Sequence, residues 1–279
     1  MNCVSLRTGF ILIGSEGRNI MEKYFNIRYE FSRQAVFAAV DEALEQGRPG
    51  YICVADGNVL TMVHKDSRYA RVVDGAMFSI CDSSYVPLYL KRLYGIKRSQ
   101  FCGSDIFSSV VGMKKYRQFF LGGSSEVLQA LKREQAKVDP AIAGMTFLEL
   151  PFCNVEDFDY EGIAEAVNAD GADIIWVALG APKQERFMQL LQPHLKRGVM
   201  IGVGAVFNFF CGLENAPRRA PEWMLKMHIE FVWRIFSEPR KQLRRCRDIL
   251  FTLPSILREE KRRRADRVCV TQDIKKRNK

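Results

Sequence analysis

Short apolar, β-rich runs alternate with stretches of helical periodicity through most of this 279-residue chain, and that alternation limits the fold more than any other feature. The strand-like runs lie at residues 51–55, 77–81, 118–121, 145–150, 173–179 and 199–203. Between them the spacing predicts helices over 59–73, 86–94, 125–138, 160–168 and 183–195. A βαβα order of this kind predicts an α/β fold: a Rossmann-like parallel sheet with helices on both faces and right-handed connections. Ligands of such sheets bind at the carboxyl ends of the strands.

After Gly204 the pattern changes to a Phe-rich turn (Phe207, Phe209, Phe210) and two further helical stretches, 222–236 and 240 to about 257. In the second, Leu243, Cys246, Leu250, Leu253 and Leu257 recur at steps of three and four, flanked by Arg240, Arg244, Arg245 and Arg247, which describes an amphipathic basic helix. Pro254 is expected to kink or end it, and 258–279 reads as a solvated, poorly ordered tail. Residues 217–279 carry 19 Lys or Arg against 8 Asp or Glu, while the whole chain is only +10, so the remainder is close to neutral. A near-neutral body with a basic end points to an anionic partner for that end. The expected division is an irregular lead-in over 1–27, an α/β domain over 28–216, a basic C-terminal helical appendage over 217–257 and the tail over 258–279.

Arg, Lys or Asp interrupts every apolar stretch before it reaches the ~20 residues of a spanning helix. The eight cysteines are scattered singly, with no Cys-x-x-Cys pair, so neither a zinc site nor a disulfide framework is indicated, and a cytoplasmic setting is expected. His64, His194 and His228 form no spaced pair.

Three strand ends have the residue types that chemistry needs. The first delivers Asp82, followed by Ser83 and Ser84, to the end of an apolar run just before a helix. A carboxylate there either caps the helix or takes a proton from a substrate hydroxyl, and spacing alone favours the cap. The second runs from Trp176 through Gly180 and Pro182 to Glu185. Its glycine allows close approach of a ligand, its proline suits a first helical turn, and the free amides there attract phosphate, which would turn Lys183 and Gln184 to the crevice. The third, with Gly122 and Gly123 before Ser124 and Ser125, suits a nucleotide or simply a tight turn with a serine cap. The pair Asp157 and Asp159 precedes a helix, where acidic residues complement the helix dipole. Two carboxylates alone are weak grounds for a metal site.

Four blocks occur in order: Leu-Gly-Ala-Pro-Lys-Gln-Glu at 179–185, Gly-Val-Gly-Ala-Val-Phe-Asn at 202–208, Arg-Ala-Pro-x-Trp at 219–223 and Glu-Phe-Val-Trp-Arg-Ile-Phe-Ser-Glu-Pro at 230–239. With them the chain resembles, over about 28–247, the WecG/TagA/CpsF family of bacterial glycosyltransferases. The resemblance implies an inverting enzyme without metal or cofactor, lying on the inner face of the cell membrane. It would transfer a sugar, often N-acetylmannosamine, from a UDP-sugar to a polyprenyl-diphosphate-linked sugar in surface polysaccharide biosynthesis. It places Asp82 as the general base, Gln184 in the donor pocket, and Arg234, Lys241 and Arg244 in a basic appendage that closes over the site and meets the diphosphate. Lys241 stands where an arginine is usual, so the charge remains without the bidentate fork. Asp56 stands at the end of Val-Ala-Asp in place of a Thr-x-Asn motif, and Gln100 stands where an arginine is common. A lost hydroxyl and a lost guanidinium change which sugar atoms are paired, so N-acetylmannosamine is not assigned to this chain. The expected substrate-binding residues are Asp56, Gln100, Gly122, Gly180, Lys183, Gln184, Arg234, Lys241 and Arg244.

Two other classes fit parts of the pattern. A catalytically silent nucleotide-sugar-binding assembly protein would keep the fold without turnover, which Asp82 argues against. A nucleic-acid-binding protein would use the basic end, but aromatics are not interleaved with the charges after Phe251, and no nucleic-acid partner is expected. The cluster around Phe207 serves equally as core or as the interface of a homo-oligomer.

Overall fold

A computed structural model describes residues 23–216 and 239–277, with the single positions 221, 224 and 233; the side chains of residue 241 and of 266–277 lie outside the description. In chain order the elements are β1 (Lys23–Tyr24), β2 (Ile27–Glu30), α1 (Arg33–Glu45), β3 (Gly50–Ala55), α2 (Gly57–Lys65), α3 (Ser67–Asp74), β4 (Phe78–Cys81), α4 (Tyr85–Tyr94), α5 (Gly103–Met113), β5 (Gln118–Leu121), α6 (Ser125–Ala136), β6 (Thr146–Leu148), α7 (Tyr160–Asp170), β7 (Ile174–Val177), α8 (Lys183–Leu191), β8 (Val199–Gly202), α9 (Val206–Phe210) and α10 (Pro239–Arg277). The strands form one sheet in the order β1-β2-β4-β3-β8-β7-β5-β6. Only the β1–β2 pair is antiparallel; the other pairings are parallel.

Successive strand residues point to opposite faces, and here both faces are apolar. Tyr51, Cys53, Ala55, Ile175, Val177 and Met200 pack on one side with α2, α3, α4, α7 and α8. Ile52, Val54, Phe78, Ile80, Trp176 and Ile201 pack on the other with α1, α5, α6 and α9. This two-sided burial is what a parallel sheet requires. Trp176 is fully buried, and its indole N–H donates to Gln118 Oε1 at 2.8 Å, so its polar edge is satisfied inside the core. The Phe207 ring is buried in the same layer, against Phe107 and Phe120, which makes that residue core.

The strands expected from the sequence recur within a few residues. The structure also adds elements. Residues 23–27 belong in part to β1 and β2, so that stretch of the expected lead-in is sheet edge. Helices α1 and α5 were not expected. Ser32 caps α1 by accepting from Ala35 N–H, and Val36, Val40 and Ala43 form its buried stripe. The single helix expected over 59–73 is two, because Asp66 takes an extended conformation, ends α2 and accepts from Arg68 N–H to cap α3. The expected helix over 222–236, apart from positions 224 and 233, and the site residue Arg234 lie outside the described residues.

The C-terminal helix differs most. Expected to stop near Leu257, α10 passes through Pro254 and runs to Arg277, in place of the expected unordered tail. A proline in a helix interior costs about 3 kcal/mol, but contacts with the body on both sides of Pro254 offset it. Ile249 packs so closely on α2 that a Cβ at Gly57 would lie 3.0 Å from it. Thr252, Ile256 and Glu260 are buried at steps of four. Leu243, Leu250 and Phe251 are more than half exposed, so the buried stripe is rotated from the one the leucine spacing suggested. The deepest anchor is Glu260, 1% exposed, whose carboxylate accepts from Phe25 N–H at 2.9 Å and from the Tyr94 hydroxyl at 2.6 Å. Beside it His64 bridges Ser255 and Glu259.

Replacing Glu260 by Ala leaves two donors without their acceptor. The expected loss is about 2 kcal/mol or more of stability in urea unfolding, with protease cleavage of α10 appearing before cleavage of the sheet.

Candidate active site at the carboxyl edge of the sheet

The chain leaves β3 towards β4 on one side and reaches β8 from β7 on the other, so the carboxyl ends of these central strands flank a divergence of connections, the usual place for a ligand crevice. Parallel pairing sets Ala55 opposite Cys81, and Asp82 N–H donates to Ala55 O at 3.0 Å. Asp56 and Asp82 are thereby neighbours on adjacent strand ends. Both line a cleft of about 790 Å³, together with Tyr85, Leu88, Lys91, Lys97, Arg98, Gln100, Cys102 and Asp105, and with Gln242, Arg245, Cys246 and Ile249 from α10.

The two carboxylates do different work. Asp56 is the N-cap of α2, its Oδ1 accepting from Asn58 and Val59 N–H at 2.9 and 2.8 Å. Asp82 does not cap α4: the N-cap of that helix is Ser84, and no side chain makes a cap bond there. Ser83 Oγ instead accepts from Tyr85 N–H at 3.3 Å. The cap favoured by spacing alone is therefore not what the structure builds, because two serines separate Asp82 from the first turn. Asp82 is half-buried, facing the cleft. Burial pushes the Cys102 thiol up to about 12, with the negative charge of Asp82 adding to the effect, so this cleft cysteine is a neutral thiol and no nucleophile at ordinary pH.

Of the residues expected to bind substrate, Asp56 and Gln100 share this cleft with Asp82. Gly122, Gly180, Lys183 and Gln184 belong to the neighbouring ends of β5 and β7 and do not line it. Gly122, at φ +93°, lets two turns meet, since a Cβ there would lie 3.0 Å from Ala178 O. Gly180, at φ +76°, has open space beside it. Lys183 does not turn to the crevice: its ammonium donates to Cys153 O and sits 4.7 Å from the centre of the Phe158 ring. Gln184 is buried and acts as a brace. Its Oε1 accepts from Gly180 N–H at 3.1 Å, and its Nε2 donates to Glu185 Oε1 at 2.9 Å and Gly202 O at 3.3 Å, tying the β7 turn to the end of β8. Arg244 is exposed on α10 outside the cleft lining, whereas Arg245 lies in it. Residue 241 is in α10, its side chain outside the description. Asp157 accepts from Asn154 Nδ2 and Asp159 caps α7, so both have local tasks. Among the described residues, no group of three or more His, Cys, Asp or Glu is placed to hold a metal.

The residues the sequence reading did not single out are Lys91, Lys97 and Arg98, and Arg245 was named only as part of the basic helix. Basic residues on both sides of Tyr94 were the signal, but only the fold brings them to the same cleft as Arg245 of α10. Glu185 was quoted only as the end of a motif. It is fully buried, and Oε2 has no hydrogen-bond partner among the described residues. Burial pushes its carboxyl up to about 7 against the opposing pull of the Gln184 hydrogen bond.

Comparison with known proteins bears on this geometry. The sequence model for the glycosyl transferase WecG/TagA/CpsF family matches residues 23–266. The N-acetylglucosaminyldiphosphoundecaprenol N-acetyl-beta-D-mannosaminyltransferase of Bacillus spizizenii strain W23 is 26% identical over 225 residues, 78% of this chain and 82% of that protein. The protein of the same name from Bacillus subtilis strain 168 is 27% identical over 227 residues, 77% of this chain and 84% of its own.

Glu185 gives a pH test. Folded, it keeps its proton up to about 7, while the unfolded chain releases it near the ordinary 4.5. Between those values the unfolded state binds fewer protons, so this group's contribution to stability falls as pH rises from about 4.5 to about 7 and is flat above. Glu185→Gln keeps the acceptor for Gln184 and removes the ionisation. In urea unfolding it should gain up to about 3 kcal/mol over the native chain between pH 5 and pH 8.

Proposed function

This chain belongs to the WecG/TagA/CpsF family of glycosyl transferases, and on that premise we propose that it moves a sugar from a UDP-sugar to a sugar carried on a polyprenyl diphosphate, with inversion, in the making of a surface polysaccharide. That it is a glycosyltransferase follows from the family; the donor, the acceptor and the steps are the proposal. Both Bacillus relatives carry names that specify a sugar-diphosphoundecaprenol acceptor. The observation that carries the reading is Asp82: a half-buried carboxylate at the tip of a central strand, lining a cleft and not capping the helix that follows.

In the proposed reaction the acceptor hydroxyl oxygen attacks the anomeric carbon of the donor. The bond from that carbon to the diphosphate oxygen breaks on the opposite face, UDP leaves with the electron pair, and Asp82 takes the hydroxyl proton. No metal enters this scheme. The charge on the departing diphosphate then falls to fixed dipoles and cations. With Lys183 held by Cys153, the groups left for that task are the open turn at Gly180 and the appendage positions Arg234, Lys241 and Arg244. The departures at Asp56 and Gln100, both on the cleft, leave the transferred sugar open, with N-acetylmannosamine one candidate.

The outer face of α10 supports a place at the inner face of the cell membrane. Leu243, Leu250 and Phe251 are exposed among Arg240, Arg244 and Arg247. Apolar side chains at the headgroup boundary, and about 1 kcal/mol per Lys or Arg near an anionic surface, suffice for reversible docking. None of the described helices is long and apolar enough to cross a membrane.

Asp82→Asn should lower UDP release from a UDP-sugar and a short-chain lipid-diphosphate-sugar by roughly 10²- to 10⁴-fold, with UDP affinity unchanged. Retained transfer would remove Asp82 from the role, and no UDP release by the native chain with any UDP-sugar would favour a silent nucleotide-sugar binder. Separately, Leu250→Asp with Phe251→Asp should weaken co-sedimentation with anionic liposomes while leaving the fold intact by circular dichroism. Equal binding by the variant would place the contact elsewhere.

A further inference from the structure

The cleft has a cationic side that the reaction scheme has not used. Lys91, near the end of α4, and Lys97 and Arg98, just after it, line the cleft from one wall, and Arg245 lines it from α10. None of the four is in an ion pair with a carboxylate among the described residues; Arg98 donates only to Lys97 O. The nearby carboxylates are otherwise engaged: Asp56 caps α2, and Asp105 faces Arg33 at 3.5 Å. The cleft also holds the Asp82 carboxylate, and four cations against the three carboxylates Asp56, Asp82 and Asp105 leave it with an excess of positive charge that suits an anion.

Their placement says which anion. Tyr85, Leu88 and Lys91 recur every three residues on one ridge of α4, and all three line the cleft. Six residues of helix put Lys91 about 9 Å along the axis from Tyr85, and Tyr85 follows Asp82 closely. Gly95, at φ +71°, ends α4 and turns the chain so that Lys97 and Arg98 return to the same cleft. The span between Asp82 and the cations thus suits one sugar ring, with its reacting hydroxyl at the carboxylate and its anomeric diphosphate at the cations. Direction separates acceptor from donor. Lys91, Lys97 and Arg98 belong to the segment that follows β4, whereas the glycine turns at Gly180, with open space beside it, and Gly204 follow β7 and β8, beyond β3 in the strand order. Inversion demands that the attacking sugar and the leaving diphosphate occupy opposite sides of the anomeric carbon. The exposed Leu88 beside the cations suits a lipid.

We propose that Lys91, Lys97 and Arg98, with Arg245 across the cleft, bind the diphosphate of the lipid-linked acceptor, apart from the donor's diphosphate. The assignment rests on the glycosyl-transfer reading for the acceptor's identity, but the site itself can be read without turnover. Calorimetry with farnesyl diphosphate, inorganic pyrophosphate and UDP would be run on the full chain and on Lys91→Ala/Lys97→Ala and Lys97→Ala/Arg98→Ala. Each double variant should bind farnesyl diphosphate about tenfold or more weakly and raise the acceptor KM to match, with UDP affinity held within about twofold. Lys91→Arg/Lys97→Arg should restore binding. Farnesyl diphosphate affinity that is unchanged in the double variants, or UDP affinity that falls in parallel, overturns the assignment; the second result would give these cations to the donor. If the native chain releases no UDP from any UDP-sugar, the transfer reading fails, while the farnesyl diphosphate comparison still decides the diphosphate site.

Discussion

Parallel strand pairing governs this molecule, because it collects every carboxyl strand end at one edge of a sheet whose two faces are sealed by helices. The hydrogen bond from Asp82 N–H to Ala55 O, one rung past the paired residues Ala55 and Cys81, continues the ladder to the point where both strands must turn. Burial of both sheet faces leaves no room there for an unpaired charge. The two aspartates at the strand ends are consequently either bonded to a helix terminus or turned to the cleft. Asp56 takes the first course and Asp82 the second.

That contrast shows how little residue type says about role. Asp56 and Asp82 are chemically identical and sit side by side, yet one is separated from its helix by no residue and the other by two serines. The first satisfies two orphan amides of α2, and the second lines the cleft. The same distinction separates Lys183 from Lys91. Lys183 begins a helix at the end of a central strand, a favourable position for an anion, but a carbonyl and an aromatic face hold it on the far side. Lys91 lies two turns into an ordinary surface helix, and the neighbouring loop and α10 convert it into part of a concavity.

The C-terminal helix joins the body to the cleft. Its inner face supplies Arg245, Cys246 and Ile249 to the cleft wall, and further along it is fastened by Glu260 to the β1–β2 turn and Tyr94. An element that both walls the site and is anchored some ten residues away ties the shape of the cleft to contacts far from it. Its exposed residues are then free for another surface.

The sequence by itself determined the layer architecture and the carboxylate. Six strands and five helices were legible because apolar runs and 3.6-residue spacing are local signals, and the apolar run before Asp82 placed that carboxylate at a strand end, although spacing alone favoured a cap for it. The limits of that reading were physical. Asp66 split one apparent helix because its side chain competes for backbone amides, and α5 hid because Gly, Ser and Val lower helix propensity, which packing of Ile106, Phe107 and Val110 into the core overrides. Only the tertiary structure decided that Gln184 braces two turns, that Lys183 is diverted, that α10 continues past Pro254, and that Lys91, Lys97, Arg98 and Arg245 meet. Each of those outcomes depends on groups far apart in the chain, and no local pattern encodes which carbonyl, ring or helix will stand opposite a given side chain once the sheet has formed.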